Sequence, residues 1–455
     1  MKRKYETFLN SWLINPNKKP LILRGARQVG KSTLVKLFCE NNDLDLLEIN
    51  FENISLSSLS NSRDFKLENL LRELELETSM KITDKTVIFF DEIQNSPIAI
   101  EKLRYFYESE NNYNVIAAGS LLELVLDQEK ISFPVGRVDF LNIGPMDFTE
   151  FLEALDDQKL LNFMDDFNLD FFPENLFNEY LDRFKEYLYV GGMPEAISVF
   201  RETKDFNAVR SAQKSILLTY RNDIPKYTNR SKQAEYISNV FDYTIGNVGR
   251  KVIFSEIAST NSAVVKESIR TLALANIIQP CFYSSASGLP LFSQMDKSVM
   301  KLYFLDVGLL NAAMGLDMKT LMKFKGDDLM TKGLMVEQFV SQHLSNLNYH
   351  NEDSQLFYWL NVKKGASAEV DFVVEHNGEI FPLEVKSGSM GKMKSLFQFI
   401  GIKKKDMGIK LDLTFRDEFK RRVDAKIRLG NENAKIECNV LSLPVFFISR
   451  FKDFL

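Results

Sequence analysis

The stretch Gly25-Ala26-Arg27-Gln28-Val29-Gly30-Lys31-Ser32 fills every fixed position of the phosphate-loop pattern G-x-x-x-x-G-K-[ST]. It constrains the fold on both sides. Upstream, Leu21-Ile22-Leu23 fits a short buried parallel strand, and downstream a helix has to begin near Gly30. Glycines at the two ends let the backbone turn its N–H groups inward, and the positive end of the helix completes an anion site. The candidate nucleotide-binding residues are therefore Gly25, Ala26, Arg27, Gln28, Val29, Gly30, Lys31, Ser32 and Thr33. Lys31 is expected to reach the β- and γ-phosphates and to share in catalysis, while Ser32 is a ligand for Mg²⁺.

A second signal agrees with the first. Thr86-Val87-Ile88-Phe89-Phe90 is an apolar strand ending in Asp91-Glu92, the arrangement a Walker B strand requires. Asp91 would hold Mg²⁺, and Glu92 would polarise the attacking water. Two more strands, Leu46–Phe51 and Val115–Ala118, fit the same wound sheet. Ser120, just past the second of these, suits a γ-phosphate sensor and equally an N-cap for a helix over Leu121–Leu126. Arg137, in the loop Phe133–Val138, offers a guanidinium for phosphoryl charge, within the chain or across a subunit interface, and a surface ion pair is the plain alternative.

Composition narrows the setting. A chain of 455 residues has room for about three domains. No uncharged apolar run is long enough to span a bilayer, and Met1-Lys2-Arg3-Lys4 has no apolar segment behind it, so neither a membrane nor a secretory signal is expected. Cys39, Cys281 and Cys438 lie far apart, and the histidines are His343, His350 and His376, so the expectation is a reducing cytoplasm without zinc. The net charge of −5 argues against a globally basic nucleic-acid coat, and any DNA contact would be local.

Several motifs together resemble a known group. The runs Leu23–Ser32, Phe89-Phe90-Asp91-Glu92-Ile93-Gln94, Ala118-Gly119-Ser120, Gly136-Arg137-Val138 and Gly191–Ala196 occur in the order seen in prokaryotic AAA-type, archaeal-ATPase-like P-loop ATPases. In that group the ATPase is joined to a C-terminal domain of unknown function with a nuclease-like core. The strand before Ser120 departs from the usual pattern in carrying no asparagine of the common sensor type. The expected architecture is α/β throughout: a P-loop ATPase core over 1–147, a helical lid over 148–230, a winged helix-turn-helix over 231–312, and a restriction-endonuclease-like domain over 313–455. By the resemblance, the Gly191-Gly192-Met193-Pro194 break lies in the segment closing over the nucleotide. Arg221 and Asp223 are also shared with the group, and an intramolecular ion pair is expected to account for both.

The winged-helix expectation rests on Phe254–Ser259, Ser262–Leu274, a strand through Tyr283 and a return at Lys301-Leu302-Tyr303-Phe304. Ser262, Lys266 and Arg270 recur at helical spacing and offer donors to DNA, although such modules also serve for packing alone.

The last third holds a hairpin with a readable register. Asn377-Gly378 is a preferred two-residue turn, so His376 faces Glu379, Asp371 faces Glu384 and Glu369 faces Lys386. Val370, Phe372, Val374, Phe381, Leu383 and Val385 then share an apolar face, opposite Glu369, Asp371, Glu384 and Lys386. Carboxylates placed opposite, with Cβ atoms about 4.5–5.5 Å apart, repel and need compensation. A second divalent metal is one source of it, since Mg²⁺ takes one or two carboxylates plus waters. The alternative is a set of exposed ion pairs and solvated acids. The arrangement of Asp371, Glu384 and Lys386 resembles PD-(D/E)xK nucleases, which implies metal ligation by Asp371 and Glu384, a further ligand in Glu337 on a preceding helix, and a catalytic Lys386; Val370 replaces the usual proline. Lys403-Lys404-Lys405 and Lys420-Arg421-Arg422 are basic clusters that suit a phosphate backbone or simply solvent. Two functions follow as expectations. One is a Mg-ATP-dependent ATPase coupled to a nuclease-like, DNA-acting domain; the other is an ATP-gated switch whose nuclease-like domain binds DNA or a protein partner without cutting. A homo-oligomer suits either.

Overall fold

In a computed structural model, the protein is described over residues 1–60, 65–128, 133–228, 230–322, 329–347, 350, 355–361, 368–386, 393–429 and 432–455. The chain forms two compact units. The first comprises Met1–Gly144 with Leu274–Ile277 and Asn348–Asp353, and the second comprises the remaining segments.

The first unit is built on a five-stranded sheet. Its strands are β1 (Leu21–Arg24), β2 (Asp45–Asn50), β3 (Thr86–Asp91), β4 (Asn114–Ala118) and β5 (Asp139–Asn142). Their order is β2-β3-β4-β1-β5 and every neighbouring pair is parallel. Parallel strands need a crossover between them, so both faces are covered, and β3 and β4 are buried along their whole length. On one face Ile22, Leu47, Ile88 and Val115 pack with Leu70 and Leu74 of the helix Leu67–Thr78 and with Ile100, Leu103 and Phe106 of the helix Pro97–Glu108. Strand β5 was not foreseen. It has four residues and sits at the sheet edge, and the guanidinium of Arg24 lies 3.3 Å from the ring centroid of Phe140, which also stacks on Phe133.

The second unit carries an eight-stranded sheet. Its strands are β6 (Ile278–Ser284), β7 (Met295–Phe304), β8 (Leu356–Leu360), β9 (Glu369–His376), β10 (Glu379–Lys386), β11 (Met407–Asp412), β12 (Lys420–Leu429) and β13 (Glu432–Pro444). They lie in the order β12-β13-β11-β10-β9-β8-β6-β7. The antiparallel hairpin β6–β7 was expected as the wing of a separate module, but β6 also pairs in parallel with β8, so the hairpin is one edge of the large sheet. That sheet therefore runs across the boundary expected near residue 312. The helices Phe254–Ile257 and Ser262–Leu274 form where the sequence places them, and there Lys266 lies over Phe254 and Arg270 pairs with Glu267 at 3.5 Å.

The helices expected as a lid belong to this second unit, where their aromatic faces are spent on its own core. Phe148, Phe184 and Tyr187 meet Phe339 edge-on, and Tyr180 stacks on Phe446 with ring centroids 5.1 Å apart. Phe446 and Phe447 lie in the 3-10 segment Val445–Phe454. The Gly191-Gly192 break is explained within the same unit. A Cβ at Gly191 would come within 2.2 Å of Asp306 Oδ1, and the Gly192 amide donates to Asp306 Oδ2 at 2.6 Å. Asp306 also accepts from the Leu309 amide and from Gln342, and burial pushes its carboxyl up to about 6 despite these donors. Arg221 and Asp223 do not pair with each other: Arg221 meets Asp242 at 2.6 Å and Asp223 meets Lys226 at 2.8 Å. Among the described residues no helix is long and apolar enough to cross a membrane, and the three cysteines are buried and free.

Candidate functional site

Strand β1 delivers the chain to a loop that only its two glycines can close. Gly25 has φ +133°, and a Cβ there would lie 2.1 Å from the carbonyl oxygen of Ile143. Gly30 has φ 92° and opens the helix Lys31–Asn41, whose first-turn amides have no partner within the helix. Lys31 is buried and donates to the Gly25 and Ala26 carbonyls at 2.9 and 2.8 Å, using two of its three hydrogens on the loop. Burial lowers its ammonium to about 8, with Glu92 and Asp91 opposing the shift.

The ends of β3 and β4 supply the rest. Ser32 Oγ donates to Asp91 Oδ2 at 2.9 Å, which places a hydroxyl and a carboxylate side by side. Burial raises the Asp91 carboxyl, and the Ser32 hydroxyl partly offsets this. Glu92 takes a left-handed φ of 51°, turning the chain sharply at the strand's end, and Gln94 Nε2 donates to its Oε2 at 2.5 Å. Ser120 is buried and accepts from Arg27 Nε at 3.3 Å. The expected loop, Walker B and sensor residues thus gather at the carboxyl ends of neighbouring parallel strands. Thr33 is exposed on the first turn of the loop's helix. Arg137 is exposed too, and pairs with Glu108 at 3.2 Å. Hard oxygen donors at Ser32 and Asp91 beside a glycine-lined anion loop suit a magnesium–nucleotide complex.

Two contributors went unrecognised in the sequence. Gln94 stands in the quoted run Phe89–Gln94 without a role, and Arg3 stands in a basic start read only for targeting. Arg3 is buried and donates to the Val29 and Gly144 carbonyls, each at 2.8 Å.

In the second unit the hairpin register is as expected from Asn377-Gly378, with Glu379 opposite His376 and Leu383 opposite Phe372. Of the two alternatives for the charged face, solvated acids do not describe Glu384, which is 3% exposed, and Val373 and Ile380 on that face are buried. The helix Leu329–Ser345, which carries Glu337, packs on β7 and β10. Lys301 on β7, 2% exposed, reaches Glu337 at 3.3 Å and also contacts Glu369, and Tyr303 donates to Glu337. Asp371 accepts from the Val385 amide at 2.8 Å, and Glu384 Oε1 pairs with Lys386 at 2.5 Å. Glu384 Oε2 is buried without a hydrogen-bond partner among the described residues. Burial, then Glu384 and Glu337, raise the Asp371 carboxyl well above its usual range, and burial raises that of Glu384 against the pull of Lys386.

Among the described residues no three or more His, Cys, Asp or Glu side chains are grouped to hold a metal ion. Glu337 is engaged by Lys301 and Tyr303. The basic clusters are also engaged, with Lys405 on Glu379 at 3.0 Å, Lys403 on Ser287 at 2.9 Å and Arg422 on Glu437.

A left-handed glycine ahead of a helix, a buried lysine and a Ser–Asp pair at the ends of parallel strands define a P-loop nucleotide site. The domain that bears it is of the AAA type: the AAA domain family profile matches residues 17–152. Residues 181–320 and 332–445 match two domains of unknown function, DUF8612 and DUF4143. No curated protein matches the chain. Among solved structures, the ORC2 protein of Aeropyrum pernix is 12% identical over 70% of this chain and 92% of its own, with a TM-score of 0.33. The ORC1 protein of the same organism, in complex with DNA, is 14% identical over 69% and 91%, with a TM-score of 0.29. The RuvB Holliday junction branch migration motor of Thermotoga maritima is 14% identical over 60% and 87%, with a TM-score of 0.28.

Proposed function

We propose that the chain binds and hydrolyses Mg-ATP. The observation that carries this reading is the Ser32 hydroxyl at 2.9 Å from the Asp91 carboxylate, with Glu92 the next residue and the glycine loop alongside. Lys31 and the loop amides hold the phosphates. Glu92, oriented by Gln94, takes a proton from water as the water oxygen attacks the γ-phosphorus and the bond to the bridging oxygen breaks, releasing ADP and phosphate. Magnesium, when bound beside Ser32 and Asp91, neutralises phosphate charge. Ser120 and Arg27 lie at the adjacent strand end as candidates for sensing the terminal phosphate. Arg137, exposed on its loop, is available to a second copy of the chain. The test is Lys31→Ala against Glu92→Gln: the first removes most nucleotide binding, while the second keeps binding and lowers turnover about 100-fold or more. Normal ATP affinity in Lys31→Ala overturns the assignment.

The second unit admits two readings, nuclease chemistry at Asp371, Glu384 and Lys386 or binding of DNA or a protein partner without cleavage. The position of Lys301 favours the second. Its ammonium answers Glu337 and Glu369 from inside the fold, where the nuclease reading needs a metal ion to collect the acids. On this reading ATP alters partner binding or assembly, and Lys386→Ala leaves that binding intact. DNA cleavage with Mn²⁺ that is abolished by both Asp371→Ala and Lys386→Ala would restore the nuclease reading.

A further inference from the structure

We infer that Arg3 is a positioning residue for the phosphate loop, which extends the nucleotide site to a segment ahead of the matched AAA domain. This rests on the ATP-binding reading above.

Arg3 is 5% exposed, and its guanidinium forks to two carbonyls, Nη1 to Val29 and Nη2 to Gly144, both at 2.8 Å. One acceptor lies near the end of the loop and the other on the segment after β5 that packs against its start. Val29 immediately precedes Gly30. Gly144 follows Ile143, whose carbonyl lies against Gly25 so closely that a Cβ there would approach to 2.1 Å, and whose amide donates to Arg24 at 2.8 Å. A single planar group therefore ties the end of the loop to the segment that packs against its start.

The bond to Val29 has a directional consequence. In a trans peptide the C=O and the following N–H point in opposite directions. Holding the Val29 oxygen toward Arg3 thus turns the Gly30 N–H away from Arg3, and Gly30, at φ 92°, would otherwise have more freedom than any other residue type to rotate that peptide. Arg3 fixes one of the amides that a phosphate oxygen must meet.

The support for Arg3 is itself rigid. Its own amide donates to Glu6 at 3.3 Å, at the start of the helix Glu6–Ile14. Tyr5, fully buried, lies under the guanidinium with 5.1 Å from its carbon to the ring centroid, and the Tyr5 hydroxyl accepts from the Gly144 amide at 3.0 Å. Lysine cannot replace this fork, because an ammonium is a point charge that does not span two divergent carbonyls in one plane.

The experiment compares the full-length protein with Arg3→Lys and Arg3→Ala, measuring Kd for ATP and ADP with magnesium, and KM and kcat, at a temperature where circular dichroism shows each variant folded. Arg3→Lys is expected to weaken nucleotide binding about tenfold, the equivalent of one charge-assisted hydrogen bond, and to raise KM by more than it lowers kcat. If Arg3→Ala does not fold, Arg3→Lys, which keeps the charge, carries the test. An unchanged Kd in folded Arg3→Lys, with only a lower melting temperature, overturns the inference and leaves Arg3 a structural residue. Absence of nucleotide binding by the unsubstituted protein would instead overturn the ATP-binding reading.

Discussion

Replacing Lys301 with Met removes a buried ammonium while keeping side-chain length, and the surroundings set the magnitude. Breaking one side of a buried ion pair costs about 3–5 kcal/mol, because the remaining charge is left without a partner. Here Glu337 stays enclosed, with a side chain 17% exposed, whereas Glu369 is 38% exposed and turns to water for part of its solvation. The lower end, about 3 kcal/mol, is therefore expected. With a urea m-value of about 1–3 kcal/mol/M, the unfolding midpoint of the second unit moves down by about 1–3 M. The assay is urea denaturation of the nucleotide-free protein followed by far-UV circular dichroism, with and without Mn²⁺. Adding Glu369→Gln to Lys301→Met removes one of the orphaned charges and is expected to recover part of the loss. Mn²⁺ is expected to raise the midpoint of Lys301→Met, whose acids now lack their internal cation, and to leave the unsubstituted protein unchanged. A loss below about 1 kcal/mol, or equal Mn²⁺ stabilisation of both proteins, would refute the view that Lys301 neutralises this cluster.

Three further outcomes follow from the geometry. Gly25→Ala places a methyl group 2.1 Å from the Ile143 carbonyl at a φ unfavourable to alanine, so nucleotide binding is lost and the first unit melts earlier, as calorimetry would show. ATP affinity, measured by titration calorimetry, falls as pH rises through about 8, because the Lys31 ammonium that meets the phosphates loses its proton there; an affinity flat from pH 7 to 9 contradicts this. Asp306 shifts from 3.8 to about 6 on folding, so the folded state holds a proton that the unfolded chain has lost. Stability then declines as pH rises from about 4 to about 6, by roughly 3 kcal/mol for this group, and Asp306→Asn should lose that portion of the slope in urea titrations.

The readable parts of the sequence were those whose physics is local. The phosphate loop needs its glycines, lysine and serine within eight positions, and Asn377-Gly378 fixes the hairpin register by turn geometry alone. What was missed depends on distant partners. Strand β5 is short and stabilised in part by Arg24 over Phe140, which no hydrophobic period reveals. Alternation along a hairpin cannot show that Glu384 is buried, or that Val373 and Ile380 pack with Phe399 of the helix Lys394–Lys403. Lys301 is an ordinary strand residue until β7 is known to share a sheet with β9 and β10. Arg3 looks like part of a basic start because its acceptors, Val29 and Gly144, are backbone carbonyls with no sequence signature.

The stacking of Tyr180 on Phe446 also sets a timetable for synthesis. Residues of the helix Glu174–Val190 leave the ribosome long before the segment Val445–Phe454 that completes their core. At ordinary translation rates that interval is on the order of tens of seconds, during which Tyr180 and Phe184 lack Phe446 and are open to chaperones. A message truncated between these segments therefore yields a chain whose second unit cannot close. Such a product would present an uncovered aromatic surface where Phe446 belongs, so closure of the second unit waits on the segment Val445–Phe454.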